Sequence, residues 1–326
     1  MNIVFCADRK ALPGLHVAAY SLLARINPAI PQTHFSVFSD ALDETDLALL
    51  RKTLSPLNKP YTLELRRVDA ALFSGFPSLN GSWATYYRLA VPRILDVERF
   101  LYVDADTLCD VDVSVLDTLE MGRAPAGLVP EAPLAEAADR FVAEQLGNSK
   151  AEPYFNAGVI LVNVEEWRQQ KITELSMEYL SKHHPRYWDQ SALNVVLYGK
   201  AIPLDEAFNC VTNMRKHWPT LRKPNGQINH LLHFLDYPKP WDFLGEWVHP
   251  QYPIWREVLD NTALKGFRTW NAAPSRIFPT SRKSLNAYLK VFKDRLLFSG
   301  YRRGWLRRVK GVPPQCRIQT ASPMTP

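Results

Sequence analysis

Cysteine is scarce in this chain, with four in 326 residues (Cys6, Cys109, Cys210 and Cys316) and no C-x-x-C spacing among them. That excludes a disulfide framework and a thiolate zinc site, and it fits a reducing compartment. No run approaches the roughly eighteen apolar residues of a membrane span. The opening Asn2-Ile3-Val4-Phe5-Cys6 lacks a basic segment followed by a long apolar one, so the protein is expected to be made and kept in the cytosol. Internal repeats are absent as well. What remains is an ordinary globular composition, 46% hydrophobic, enough for one large α/β domain with an appendage or for two domains.

Acidic residues are nearly missing from one stretch. Between Arg276 and Lys310 there are eleven Lys/Arg and a single acid, Asp294, a balance of +10. The rest of the chain carries −4, for an overall +6. A mildly acidic body with a strongly basic tail points to contact with an anionic surface.

The first half alternates short apolar runs with segments of helical spacing. Ile3–Cys6, Phe35–Phe38, Tyr61–Leu65 and Phe100–Val103 read as strands; His16–Ile26, Glu44–Leu54 and Trp83–Leu95 read as helices. Such alternation predicts parallel strands covered by helices, with ligands beyond the carboxyl ends of the strands. A further apolar run, Gly158–Val162, opens on Asn156-Ala157-Gly158, where a glycine permits a close backbone approach. Helical patterns follow from about Val164 to His183 and from Asp189 to Leu197, and regular elements thin out beyond Pro203.

Two carboxylates, Asp104 and Asp106, follow the strand Phe100–Val103 directly. In an extended chain they would point to one side, roughly 6.5–7 Å apart at the backbone. Neighbouring carboxylates repel unless a cation or a shared proton lies between them, and a hard divalent ion holding a diphosphate is one reason to build such a pair. The alternative is that the pair ends a strand and caps a helix starting near Val111. A second cluster, His233 to Trp241, offers an imidazole suited to Mn²⁺-class ions and, in Lys239, a point charge for a phosphate oxygen. Taken singly, His233 reads equally as a core histidine and Lys239 as a surface charge.

These segments in order are Ile3–Asp8, Thr85-Tyr86-Tyr87-Arg88-Leu89, Leu101 to Asp106, Tyr154 to Val159, Trp188 to Asn194 and His233 to Trp241. Together they resemble glycosyltransferase family 8, especially its bacterial lipopolysaccharide galactosyl- and glucosyltransferases. The likeness spans about residues 1–245. It implies an α/β GT-A fold, with a Rossmann-like mixed central sheet flanked by helices and a basic C-terminal helical extension. It also implies retaining transfer of galactose or glucose from a UDP-sugar to a saccharide acceptor, with Mn²⁺ as cofactor and Mg²⁺ as the alternative.

By position, the resemblance makes Asp104, Asp106 and His233 the metal ligands. Ala7, Asp8, Arg88, Asp104, Ala105, Asn156 and Lys239 become donor contacts, with Asp8 on the uracil. Asp189 and Gln190 fall on the reacting side of the sugar. An amide at 190 is a poor nucleophile, which favours front-face transfer over a covalent intermediate. Residue by residue, the plainer readings are a strand-end cap for Asp8, a surface ion pair for Arg88 and a helix N-cap for Asp189.

Three positions depart from the family pattern: Asp236 stands where glycine is usual, Lys10 replaces a nucleoside-holding residue, and Pro130-Glu131 replaces an aspartate region. They leave open a catalytically inactive UDP-sugar-binding homologue. An aspartyl-phosphate loop of the haloacid-dehalogenase type also fits Asp104 to Leu108. That reading lacks a later Asp-Asp pair and places the loop after three βα units.

The domain reading is a catalytic domain over 1–250, a basic membrane-association region over 251–311 and a disordered tail over 312–326. Leu285, Tyr288, Leu289, Phe292 and Leu296 recur at helical spacing, with Lys290, Lys293 and Arg295 off that stripe. This suits the surface of an anionic membrane and a lipid-linked acceptor, with the protein peripheral on the inner face of the plasma membrane. No nucleic-acid motif accompanies the charge.

Overall fold

The computed structural model describes residues 1–79, 81–212, 228–235, 237–243 and 245–269, with isolated positions at 282, 285, 286 and 289. The elements run β1 (Asn2–Cys6), α1 (Leu12–Arg25), β2 (Thr33–Ser39), α2 (Glu44–Leu54), β3 (Tyr61–Arg67), α3 (Ala84–Ile94), β4 (Arg99–Val103) and β5 (Thr107–Cys109). Then follow β6 (Ala126–Pro133), α4 (Arg140–Gln145), β7 (Pro153–Asn163), α5 (Val164–Gln169), α6 (Ile172–His183) and α7 (Trp188–Val196). The last are β8 (Ile202–Pro203), β9 (Cys210–Thr212), β10 (Leu231–Phe234), α8 (Gly245–Val248) and α9 (Tyr252–Leu259).

Seven strands form the central sheet in the order β3-β2-β1-β4-β7-β6-β8. The first four are mutually parallel, as the alternation predicts, but β7 runs antiparallel to both β4 and β6. Strand direction reverses beside β4, and the acidic pair leaves the sheet there. Side-chain alternation explains why β4 is central: Leu101 and Val103 enter one apolar core, Phe100 and Tyr102 the other. Strands β1 and β7 divide their residues in the same way, so all three are buried on both faces.

A second sheet of three strands, β5-β10-β9, joins the carboxyl edge. It is held by a third cluster in which Val17 of α1 and Leu108 of β5 meet Leu232, Phe234, Trp241, Trp255 and Leu259. Helix α9 is thus part of the folded body, with Trp255 and Leu259 fully buried.

Three local expectations are corrected. The pattern from Val164 to His183 splits into α5 and α6, because Lys171 takes a left-handed φ of 54° between them. No α-helix starts near Val111; β5 and a short 3-10 turn at Ser114–Thr118 stand there instead, so the acidic pair caps nothing. The extended geometry supposed for Asp104-Ala105-Asp106 is a turn linking β4 to β5. Among the described residues no helix is long and apolar enough to cross a membrane. Asp236, Tyr288, Phe292 and Leu296, the basic residues of the tail other than Arg282, and the segment 312–326 lie outside the described residues. Leu285 and Leu289 are helical and exposed.

Candidate active site

The turn after β4 is tied on two sides. Asp104 N–H donates to the Gly158 carbonyl of β7 at 2.7 Å, and Phe234 N–H of β10 donates to the Asp106 carbonyl at 2.9 Å. The Thr107 hydroxyl closes the turn on the Asp104 carbonyl at 2.9 Å. Antiparallel pairing of β5 with β10 sets His233 opposite Thr107, beside the acidic pair. His233 Nε2 lies 3.2 Å from Asp106 Oδ1 and 3.6 Å from Asp104 Oδ2. One ligand atom from each of Asp104, Asp106 and His233 falls within 4.8 Å of the others. Glycine is required opposite: a Cβ on Gly158 would lie 2.1 Å from His233 Cε1.

Lys239 Nζ sits 2.6 Å from Asp106 Oδ2. Burial opposes ionisation of Asp106, but opposing charge, foremost the Lys239 ammonium, holds the carboxyl well below the usual carboxylate range. Its Oδ1 is buried without a hydrogen-bond partner. Two carboxylates and an imidazole converging on such an orphaned oxygen are a donor set that fits a hard or borderline divalent cation.

Arg88 of α3 backs the pair. Its Nη2 lies 2.9 Å from Asp104 Oδ1, its Nε 3.0 Å from Asp189 Oδ2, and its Nη1 donates to the Ala157 carbonyl. The guanidinium stacks 4.5 Å above the Tyr102 ring, whose hydroxyl also donates to Asp104. Arg88 is therefore an interior bridge between two carboxylates, not a surface ion pair. Burial disfavours its charge, but Asp104, Tyr102 and Asp189 more than compensate and raise its pKa further above the ordinary value.

Asp189 is not an N-cap either. Helix α7 starts at Trp188, whose left-handed φ of 48° is strained for an aromatic residue and turns the chain so that Asp189 points inward. Its carboxylate accepts from the Thr85 hydroxyl at 2.6 Å. Burial pushes its pKa up, against the pull of Arg88 and Thr85. Next to it, Gln190 Oε1 accepts from Ala157 N–H at 3.1 Å and Nε2 donates to the Tyr154 hydroxyl at 3.2 Å. Asn156 Oδ1 accepts from Gly158 N–H at 2.9 Å.

One strand over, Ala7 is buried and bonded through its N–H to Phe38 O at 3.1 Å. Asp8 Oδ1 accepts from the N–H groups of Lys10 and Ala11, so Asp8 does cap the turn Arg9–Ala11. Lys10 lends its carbonyl to Trp241 Nε1 at 3.2 Å. The Ala105 carbonyl faces Gly14 of α1, where a Cβ would lie only 2.5 Å away. Glu131 falls at a register shift in the β6–β7 pairing.

Sequence reading missed the residues that hold these groups. Tyr102 and Thr85 stand inside the quoted segments but were given no task, while Asn209 belongs to none of them. Asn209 is buried between His233 and Asn156, 3.0 Å from His233 Nδ1 and 2.9 Å from Asn156 Oδ1. Only folding brings it there, 24 residues before His233, so periodicity carries no signal for it.

A doubly wound sheet with an acidic pair and an imidazole at the reversal of strand direction defines a GT-A fold. The sequence model described as glycosyl transferase family 8 matches residues 2–245, and the chain belongs to that family. This removes the phosphatase reading. The chain is 26% identical to a lipopolysaccharide 1,2-glucosyltransferase of Escherichia coli K12, over 97% of this chain and 90% of the relative. It is 28% identical to a lipopolysaccharide 1,3-galactosyltransferase of Salmonella typhimurium, over 91% of each. Among solved structures, the galactosyltransferase LgtC with donor and acceptor sugar analogues superposes with a TM-score of 0.65 at 24% identity, covering 86% of this chain and 100% of LgtC.

Proposed function

We propose that the protein is a retaining hexosyltransferase that moves galactose or glucose from a UDP-sugar to a saccharide acceptor in lipopolysaccharide core synthesis. The observation that carries this reading is the convergence of Asp104, Asp106 and His233 around the buried, unpartnered Asp106 Oδ1. Those three side chains would hold a divalent cation, with manganese favoured by the mixed carboxylate–imidazole set. When bound, the cation neutralises charge that builds on UDP as the sugar departs.

The chain's own groups do the rest. Lys239, beside Asp106, contributes a positive contact to the diphosphate. Asp8 and Ala7, at the end of β1, and Ala105, in the turn, border the nucleoside. Arg88 holds Asp104 and Asp189 in a fixed relation, so metal side and sugar side cannot drift apart. Asp189 and Asn156 present acceptor and donor groups to sugar hydroxyls. Gln190 is pinned by Ala157 N–H and the Tyr154 hydroxyl, which keeps its amide in one orientation and unsuited to attack. Transfer then proceeds on one face: the bond from the anomeric carbon to the bridging phosphate oxygen breaks, and UDP leaves with that oxygen. The acceptor oxygen bonds to the anomeric carbon on the same face, and its proton passes to a phosphate oxygen of the departing UDP.

The exposed Leu285 and Leu289, in a stretch dense in Lys and Arg, support peripheral contact with the anionic inner face of the plasma membrane. Deleting residues after Phe278 is expected to abolish binding to anionic vesicles; unchanged binding would refute that part.

The test of activity is a panel of UDP-sugars incubated with Mn²⁺ and followed for slow release of UDP. Hydrolysis of UDP-galactose or UDP-glucose, lost in Asp106→Asn, is the expected result. Binding without turnover across donors and acceptors would instead identify an inactive homologue.

A further inference from the structure

We infer that Asn209 is a positioning residue that fixes which nitrogen of His233 carries the proton, and that it thereby turns His233 into a metal ligand. The inference rests on the proposed metal site and extends it to a residue outside that donor set. It follows from hydrogen bonds that leave one consistent assignment.

The chain of constraints starts at the backbone. Gly158 N–H can only donate, so the Asn156 side-chain atom 2.9 Å away must be the carbonyl oxygen Oδ1. That same oxygen lies 2.9 Å from Asn209, which must therefore present its NH₂ group there. The amide of Asn209 is now oriented, and its Oδ1 faces His233 Nδ1 at 3.0 Å. An amide oxygen only accepts, so Nδ1 must bear the hydrogen. In the neutral ring the lone pair is then on Nε2, the atom that faces Asp106 Oδ1 at 3.2 Å and Asp104 Oδ2 at 3.6 Å.

A lone pair aimed at two carboxylate oxygens is repulsive by itself and favourable only with a positive centre between them. The network thus aims the ligating atom and holds the other nitrogen in the protonated state that ligation needs. Space enforces the same pose, because Gly158 leaves room for the ring where any Cβ would collide with it. His233 and Asn209 are both buried, so water does not compete for these bonds. Since Asn156 is proposed to touch the sugar, one amide chain links the sugar contact to the metal ligand: Asn156, Asn209, His233.

The experiment combines nitrogen NMR of the His233 ring in the metal-free protein with Mn²⁺ affinity in the presence of UDP, read from the free-ion EPR signal. The wild-type neutral ring is expected to show hydrogen on Nδ1. Asn209→Leu, which removes the acceptor, is expected to move hydrogen to Nε2 and to weaken Mn²⁺ binding by about 10–100-fold. Asn209→Asp keeps an acceptor toward Nδ1 and is expected to preserve the Nδ1–H form with affinity much closer to wild type. Hydrogen on Nε2 in the wild type overturns the inference, and that result needs no variant to fold. So does Asn209→Leu with tautomer and affinity both unchanged. If the tautomer behaves as expected but Mn²⁺ binds to neither protein, the metal reading fails while the role of Asn209 in fixing the ring stands.

Discussion

The carboxylates and the imidazole of the proposed metal site reach it by opposite routes. Asp104 and Asp106 extend β4, a strand whose neighbours lie on both sides and whose side chains fill two cores. His233 and Lys239 come from the far smaller β5-β10-β9 assembly, whose place depends on one aromatic-rich cluster against α1. The first half is rigid because the whole sheet holds it. The second half is in place only while the seam is closed, so substitutions should separate an intact fold from an assembled site.

The largest effect is expected at Arg88, which belongs to the rigid half. Replacing it with Met leaves Asp104 and Asp189 as uncompensated, largely buried carboxylates. Chemical denaturation should show a loss of about 3–5 kcal/mol. A loss under about 1 kcal/mol would mean the bridge is not what fixes the two sides.

Acid should act on the seam. Burial holds His16 down at about pKa 4, and burial together with Lys239 holds His249 at about 3. Between the ordinary value of 6.5 and those values the unfolded chain binds protons that the folded chain refuses. Stability is therefore full above pH 6.5 and falls as pH drops through the window down to about 4 and then 3. His16 alone accounts for about 3 kcal/mol by pH 4. His16 meets the Thr53 hydroxyl, which also accepts from Ala263 N–H, while the His249 ring packs edge-on against Phe234. His16→Gln should flatten the pH dependence of unfolding free energy by one proton; an unchanged slope would contradict this.

Gly158→Ala sharpens the comparison further. Its Cβ must displace the His233 ring or the strand carrying it, at about 1–3 kcal/mol, with loss of Mn²⁺ binding. Gly75→Ala is the control, since nothing lies within 4 Å of the added carbon and the cost should stay within about 0.5 kcal/mol. A more modest loss of binding is expected from Lys239→Met. Removing the ammonium from Asp106 should weaken UDP binding about tenfold, roughly 1.4 kcal/mol, and should also lower the thermal midpoint, because the buried carboxylate loses the charge that holds it ionised.

The rigid half was largely legible in the sequence. Strands β1 to β4 and helices α1 to α3 follow from local period and apolar runs, and the acidic pair is a local motif at a strand end. The seam was not. Strands β5, β9 and β10 are three or four residues long, too short for a period to register. Residue chemistry raised His233 and Lys239 only as candidates, and likeness to a family was needed to give them roles, since nothing local separates a ligand histidine from a core one. The antiparallel entry of β7 was hidden for another reason: a strand buried on both faces reads the same in either direction. Arg88 and Asp189 misled the plainer reading because a helix-borne charge looks alike whether it faces solvent or a buried partner.

The most direct test is calorimetric titration of UDP into the protein with Mn²⁺ and again with EDTA, repeated for His233→Ala. The account predicts that affinity for UDP collapses with the chelator and is strongly reduced in His233→Ala even with Mn²⁺ present. Equal UDP affinity with and without the metal would contradict it.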